Sequence, residues 1–379
     1  MLKKCVIYLV VLAVTVQGFI LCVKANSVSI SADSAVVMVA ATGEVLYSKN
    51  EYKKRGIAST TKIMSCIVAL ENASLCDVAT ASIEDVTVEG TSMGLKAGDR
   101  VFVDALIKGM LLESGNDAAN VTASFVAGGK EQFSVLMNEK AKELGMKNTS
   151  FKNPSGLTEE GHYSCAYDMA LLGSYAIKNF TFRSVCSLPK CTVKIGNPGY
   201  ETTLYNHNKL LSRYDGALGI KTGFTKASGR CLVSAVERGG VTLVAVTLNA
   251  YDDWNDHIKL YDYCFPLVSS SKADISVESI TLPVVNSDKK SVKLMLSRDI
   301  YVPYSEKIPQ YTTTYFLPRF CYASIKKVDY VGWVELHTAD GILIGKSYIV
   351  AGENAEAVNA EPQLSLIKKF LKYIEEDRR

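Results

Sequence analysis

A run of helical periodicity lies between two groups of strands, and this order restricts the possible folds more than any other feature of the chain. Ala35-Val36-Val37-Met38-Val39 and Glu44-Val45-Leu46-Tyr47 flank a turn at Ala41-Thr42-Gly43, which predicts a hairpin. Leu218 to Thr222, Cys231 to Val236 and Val241 to Leu248 read as consecutive strands following the turn Tyr214-Asp215-Gly216. Between the two groups, Val103 to Met110, Asp117 to Phe125, Glu131 to Leu144 and Tyr167 to Ile177 carry apolar residues three or four apart. Helices enclosed by strand groups in this way predict an α/β layer with an antiparallel sheet. Past Ser269-Ser270-Ser271 the texture becomes short alternating runs such as Val292-Lys293-Leu294-Met295-Leu296 and Val331-Gly332-Trp333-Val334-Glu335-Leu336. They predict a separate small all-β domain, over 272–355.

With 379 residues, 48% hydrophobic and 21% charged, the chain is sized for two or three domains and is neither a disordered tail nor a small disulfide-held scaffold. Its formal charge is +3, and the first 25 residues hold three lysines and no acid. Without them the chain is formally neutral, so nothing suggests nucleic acid or another polyanion as a partner.

Residues 1–25 place Lys3 and Lys4 before an uncharged run from Cys5 to Val23 and end at Val23-Lys24-Ala25, the pattern of a secretory signal peptide cleaved near Ala25. The run is also long enough for an uncleaved anchor, and either outcome exports the rest. Bulky Leu21 makes Cys22 a poor lipoprotein acceptor. At the other end, residues 361–379 put Leu364, Ile367, Phe370, Leu371 and Ile374 on one helical face with Lys368, Lys369 and Lys372 elsewhere. Such a basic amphipathic helix suits an anionic membrane surface, and docking on its own domain is the alternative.

Eight cysteines follow the leader, with no paired C-x-x-C and no histidine at ligand spacing, so no structural zinc or other cofactor is expected. Cys186 and Cys191 flank Pro189 and could close a small loop, although most of these thiols read as apolar filler.

The chemistry starts at Ser59-Thr60-Thr61-Lys62, where Ile63, Ile67 and Leu70 place Ser59 at the start of a buried helix. A serine hydroxyl needs a base, and the i, i+3 spacing brings the lysine amine to the same face. That amine acts only when neutral, which requires burial or a neighbouring cation. Alone the pattern is weak, since a capping serine followed by a solvated lysine looks the same. Ser114-Gly115-Asn116, between two helical stretches, adds a hydroxyl and an amide. Lys221-Thr222-Gly223, on a predicted strand, adds a cation and a glycine that lets a substrate approach closely. Each is commonplace singly; the three together are not.

In this order the three motifs resemble those of the penicillin-recognising serine enzymes. Ile57-Ala58-Ser59-Thr60-Thr61-Lys62-Ile63-Met64, Leu112-Glu113-Ser114-Gly115-Asn116-Asp117-Ala118, Asn153-Pro154-Ser155-Gly156-Leu157, Tyr167-Asp168-Met169-Ala170 and Gly219-Ile220-Lys221-Thr222-Gly223-Phe224-Thr225 narrow the resemblance to the low-molecular-mass penicillin-binding proteins, the serine-type D-alanyl-D-alanine carboxypeptidases. It implies a penicillin-binding-protein/β-lactamase-like transpeptidase core over 26–268, followed by the all-β domain and the tail. It also implies a peptidoglycan stem pentapeptide as substrate, β-lactams as covalent inhibitors, no cofactor, and a location at the extracytoplasmic face of the membrane or in the cell wall.

By the same resemblance Ser59 is the nucleophile and Lys62 its base. Ser114 relays a proton to the leaving amine, and Asn116 holds Lys62 and the substrate amide. Lys221 supplies positive potential, Thr222 binds the terminal carboxylate, Gly223 lets the substrate close in, and the amides of Ser59 and Phe224 form the oxyanion hole.

Three positions depart from the family pattern. Ile57 stands where proline is frequent, which can loosen the loop without removing a chemical group. The family commonly carries a carboxylate-binding arginine beyond the last core strands, but Tyr251-Asp252-Asp253-Trp254-Asn255-Asp256-His257 has none. Carboxylate recognition is therefore expected to rest on Thr222 and Lys221 alone. Cys264, where glycine is usual, reads as packing.

Other chemistries have little support. His162, His207, His257 and His337 read as surface or structural, and no H-E-x-x-H or nucleotide loop is present. Asp252-Asp253 and Glu375-Glu376-Asp377 read as solvated charge. The remaining alternatives are a β-lactamase on the same core and a non-hydrolytic β-lactam-binding sensor or wall scaffold, since all share the acylation machinery.

Overall fold

The computed structural model describes residues 28–196 and 199–358. The leader and the basic amphipathic tail both lie outside the described residues. Among those described, no helix is long and apolar enough to cross a membrane.

The hairpin forms as predicted. Strand β1 (Ser34–Val39) turns through Gly43, at φ +76°, into β2 (Val45–Lys49). Helix α1 (Lys62–Asn72) follows a 3₁₀ turn at Ala58–Thr61, and the helical middle includes α2 (Asn116–Ala127), the 14-residue helix Lys130–Glu143 and α3 (Ala166–Ala176). Then β3 (Ala217–Thr225), β4 (Gly229–Arg238) and β5 (Val241–Leu248) return, and α4 (Asp253–Cys264) closes the first part.

The core sheet runs β2-β1-β5-β4-β3, all antiparallel. Every residue of β1 is buried, because helices cover both faces of the sheet centre, and a continuous apolar run is what such a strand needs. Alternation along β4 separates the two covers. Val233 faces α3, where a Cβ on Gly173 would lie 3.1 Å from the valine Cγ1, so only a glycine lets the helix sit this close. Ser234 faces α4 and bonds the fully buried His257 Nδ1 at 2.7 Å, while Thr247 Oγ1 lies 2.9 Å from Nε2. His257 is therefore a satisfied core histidine.

Elements without a strong sequence signal also appear: the short pair Val78–Thr80 with Arg100–Phe102, and the hairpin Lys190–Ile195 with Tyr200–Tyr205. They are short or largely polar, and tertiary contacts rather than patterning define them. Cys186 and Cys191 are both free thiols, the first buried and within hydrogen-bonding distance of Leu218 O at 3.2 Å. Cys264 is fully buried, as packing requires.

The chain then enters β6 (Ser269–Lys272), β7 (Thr281–Val285), β8 (Ser291–Leu296), β9 (Tyr301–Tyr304), β10 (Tyr311–Phe316), β11 (Cys321–Tyr322), β12 (Tyr330–Thr338) and β13 (Leu343–Ala351). Six of these form a sheet in the order β10-β12-β13-β8-β7-β11, while β6 pairs with β9. Val292, Leu294, Val334, Leu336 and Ile349 form the centre of its own apolar cluster, distinct from the one under the first sheet.

Candidate active site

Ser59 belongs to the 3₁₀ turn rather than to α1 itself, and this sharpens the spacing argument. At three residues per turn, side chains at i and i+3 eclipse, so the lysine that opens α1 stands over the serine. Lys62 Nζ is 3.1 Å from Ser59 Oγ. Ala58, just before the serine, has φ +48°, a left-handed conformation that costs a non-glycine residue about 1–3 kcal/mol and is held here by its surroundings. Gly156 packs against its carbonyl so closely that a Cβ would lie 2.0 Å from Ala58 O. Ile57, in the proline position, is fully buried, and its carbonyl accepts from Thr60 Oγ1 at 2.6 Å.

Lys62 is wholly buried and donates to two further oxygens, Asn116 Oδ1 and Ser155 O, each at 2.7 Å. A neutral amine has two hydrogens and one lone pair. With both hydrogens engaged by those acceptors, the lone pair is left for the Ser59 hydroxyl. Burial pushes the Lys62 pKa well below the lysine range, and the charge of Lys221 lowers it further.

Asn116 is anchored from its other end, Nδ2 donating to Glu89 O at 2.7 Å. Ser114 precedes it at φ +62°, and its carbonyl accepts from Thr91 Oγ1 at 2.6 Å. Asp117, buried in the first turn of α2, accepts from the backbone amides of Met93, Gly94 and Leu95 at 2.9–3.1 Å, fixing the segment beside Thr91.

On the opposite wall β3 is an edge strand, so the backbone groups on its outer side have no ladder partner in the sheet. A Cβ on Gly223 would lie 3.0 Å from the amides of Ser59 and Thr60, which explains glycine there. Lys221 is almost fully buried, its Nζ donating to Thr222 O at 3.0 Å, with burial lowering its pKa to about 8.

Ser59, Ser114, Asn116, Thr222, Gly223 and Phe224 share one open cleft of about 410 Å³, and the side chains of Lys62 and Lys221 are buried. The motifs are thus brought together.

Several residues around this cleft were not legible beforehand. The carbonyls of Ser155 and Glu89 act through backbone atoms, which carry no residue signature. His207 lines the cleft beside Glu113, 3.6 Å away. His162, by contrast, is buried, contacts Thr61 Oγ1 at 2.9 Å, and burial lowers its pKa to about 4.

One expectation is corrected. Asp253 is not solvated charge: it is 2% exposed and ion-paired with Arg230 at 2.9 Å. Arg230 lines the same cleft. The alternation of β3 and β4 across their short hairpin could have pointed to it, because Arg230 pairs with Phe224.

The family described as D-alanyl-D-alanine carboxypeptidase matches residues 22–252, and the one described as penicillin-binding protein 5, C-terminal domain, matches 270–357. The D-alanyl-D-alanine carboxypeptidase DacF of Bacillus subtilis is 37% identical over 60% of this chain, a match spanning 59% of that protein's length. DacC of Escherichia coli, which carries the same description, is 32% identical over 86% of this chain and 85% of its own. Among solved structures, a mutant of a Streptomyces DD-transpeptidase superposes with a TM-score of 0.61 at 33% identity, covering 63% of this chain and 99% of its own. The D-alanyl-D-alanine carboxypeptidase DacD of Francisella tularensis does so at 0.62 and 27% identity, covering 91% and 98%.

Proposed function

The chain belongs to the D-alanyl-D-alanine carboxypeptidase family and is a serine-type hydrolase of that family; from this premise we propose how its own residues carry the reaction. Ser59 Oγ attacks the carbonyl between the two terminal D-alanines of a peptidoglycan stem pentapeptide as Lys62 takes its proton. The amides of Ser59 and Phe224 face the developing oxyanion. Ser114 passes a proton to the departing amine, the C–N bond breaks, and free D-alanine leaves. Water, activated by the same lysine, then hydrolyses the ester on Ser59.

The observation that carries this reading is the coordination of Lys62, whose two hydrogens are taken by Asn116 Oδ1 and Ser155 O while Ser59 Oγ lies 3.1 Å away. Asn116 thereby orients the base and keeps its amide at the cleft. Thr222 and the potential of Lys221 favour a substrate carboxylate, and β3 offers its free edge to an extended peptide. A β-lactam presents the same carbonyl and carboxylate and acylates the same serine. The β-lactamase and sensor alternatives draw no support from the relatives.

We divide the chain into a carboxypeptidase domain over 26–268 and a β domain over 272–355, a division in keeping with the two apolar clusters and the two family matches. Residues 1–25 are read as an export leader and 361–379 as a membrane-surface helix, both from the sequence. Together they put the reaction outside the cytoplasmic membrane.

The test is D-alanine release from diacetyl-Lys-D-Ala-D-Ala by purified residues 26–379, beside Ser59→Ala and with penicillin labelling of both. Turnover and labelling that vanish together in the variant are expected. Labelling of Ser59 without turnover would refute the hydrolase reading.

A further inference from the structure

One wall of the cleft is lined by Gly90 and Thr91, which belong to an irregular segment, 89–95, with no helix or strand of its own. The turn that carries Ser114 and Asn116 leans on this segment. Asn116 Nδ2 donates to Glu89 O at 2.7 Å, the Asn116 amide donates to Thr91 O at 2.8 Å, and Thr91 Oγ1 donates to Ser114 O at 2.6 Å. The fit leaves no spare room: a Cβ on Gly90, at φ +86°, would lie 2.8 Å from Asn116 Nδ2. A segment without a ladder of its own can orient the asparagine only if something else fixes it.

One side chain does so. Asp117 Oδ1 accepts from the Met93 amide at 2.9 Å, while Oδ2 accepts from the amides of Gly94 at 3.1 Å and Leu95 at 3.0 Å and from Ser92 Oγ at 2.5 Å. Four consecutive residues of the segment thus meet one carboxylate, which is fully buried. Every one of these bonds is accepted and every donor is neutral, the pattern of an anion solvated by N–H and O–H dipoles. An acid in the first turn of a helix is ordinary, since it suits the helix dipole. Such an acid serves the amides of its own helix, however, and of those Asp117 takes only Ala118, at 2.8 Å. Its other four donors all come from the wall.

We propose that Asp117 is a positioning residue for the acylation step: it fastens the wall to the Ser114-Gly115-Asn116 turn and thereby holds the amide against which Lys62 is aimed. The inference rests on the reading of Lys62 as the base for Ser59. Asn116 Oδ1 takes one hydrogen of the Lys62 amine at 2.7 Å. If the wall loosens, Glu89 O and Thr91 O move off the asparagine, the amide turns, and the lone pair of the amine is no longer directed at the Ser59 hydroxyl. The carboxylate also acts through its charge. Among the described residues, the charged and titratable groups that face Lys62 are Lys221 from β3, Cys66 from its own helix α1 and Asp117 from α2; Lys221 disfavours the protonated amine and Asp117 favours it.

The test follows stopped-flow acylation by benzylpenicillin across pH in purified residues 26–379, comparing the unaltered enzyme with Asp117→Asn and Ser92→Ala. Rates are expressed per serine finally labelled, so unfolded molecules do not enter, and varying the penicillin concentration separates noncovalent binding from the acylation rate constant. Asp117→Asn keeps the size of the side chain and removes its charge. It is expected to lower the acylation rate constant by about 10- to 100-fold, as a misplaced catalytic group does, while binding changes by less than about twofold. The acid limb should move to lower pH, because an opposite charge has left the neighbourhood of Lys62. Ser92→Ala removes one donor and keeps the charge, so acylation slows by a smaller factor and the limb stays in place.

A lower thermal midpoint with an unchanged rate constant and limb would overturn the proposal, because Asp117 would then only support the fold. A loss confined to binding would overturn it too, since the wall would then serve the substrate and not the base. If Asp117→Asn fails to fold, Ser92→Ala decides alone, and an unaltered acylation rate constant in that variant overturns the proposal. Should the unaltered enzyme be acylated without releasing D-alanine from peptide, the hydrolase reading fails and the acylation comparison still stands.

Discussion

Asn116 Oδ1 meets Lys62 Nζ at 2.7 Å, while the same amide's Nδ2 is tied to Glu89 O at 2.7 Å, so the amide cannot flip without breaking both bonds. The asparagine therefore presents a neutral acceptor to a buried amine. A carboxylate in its place would favour the protonated lysine.

Asn116→Asp should consequently move the acid limb of the acylation profile to higher pH by roughly 1–3 units, the usual effect of an opposite charge at this distance. Stopped-flow acylation by penicillin across pH reads it directly. A slower reaction with an unmoved limb would show that Asn116 acts on the substrate alone.

The two lysines predict a bell-shaped profile. Lys62 works as the neutral amine, so activity falls on the acid side as it becomes protonated. Lys221 works as the cation, with a pKa of about 8, so attraction for a carboxylate fades above that pH. kcat/KM for the peptide should thus lose its alkaline limb in Lys221→Arg, whose guanidinium stays charged. A limb that persists in that variant belongs to another group.

Gly156→Ala tests the contact behind the nucleophile. The residue has φ +85° and no room for a Cβ near Ala58 O, so the substitution is expected to cost at least about 1–3 kcal/mol and to displace Ser59. Thermal unfolding should fall by several degrees, together with acylation. Gly43→Ala, at φ +76° with open space around it, should lose some stability and acylate normally.

Thiol reactivity checks the cysteine assignment. Of the eight free thiols described, Cys76 is exposed, Cys191 and Cys321 are partly exposed and five are buried. Ellman titration of native residues 26–379 should show one fast group, two slower ones and the rest only after denaturation. A count two short after denaturation would reveal a disulfide.

Much of the site was visible in the sequence because its chemistry depends on side-chain identity. Ser59, Lys62, Ser114, Asn116 and Thr222 each contribute a functional group that no other residue type supplies in the same way, and fixed spacing betrays them. The hairpin, the helical block and the three returning strands were visible because burial on one or both faces imposes a period. Ser155 and Glu89 contribute only carbonyls, and any residue has one. The strands Val78–Thr80 and Arg100–Phe102 are too short to show a period. Arg230 escaped because only its pairing opposite Phe224, across the hairpin between β3 and β4, brings it to the cleft. Asp253 escaped with it, since a carboxylate looks solvated until its partner is known.

The place of β1 in the sheet has a temporal consequence. It hydrogen-bonds to β5 along its whole length, Ala35 opposite Thr247, so the first strand made must wait for nearly the last strand of its domain. Contacts this distant in sequence close slowly. A chain emerging from its N-terminus therefore cannot assemble the wall that carries Lys221 around Ser59 until some two hundred further residues have followed. Until then it has a serine and a lysine but no active enzyme.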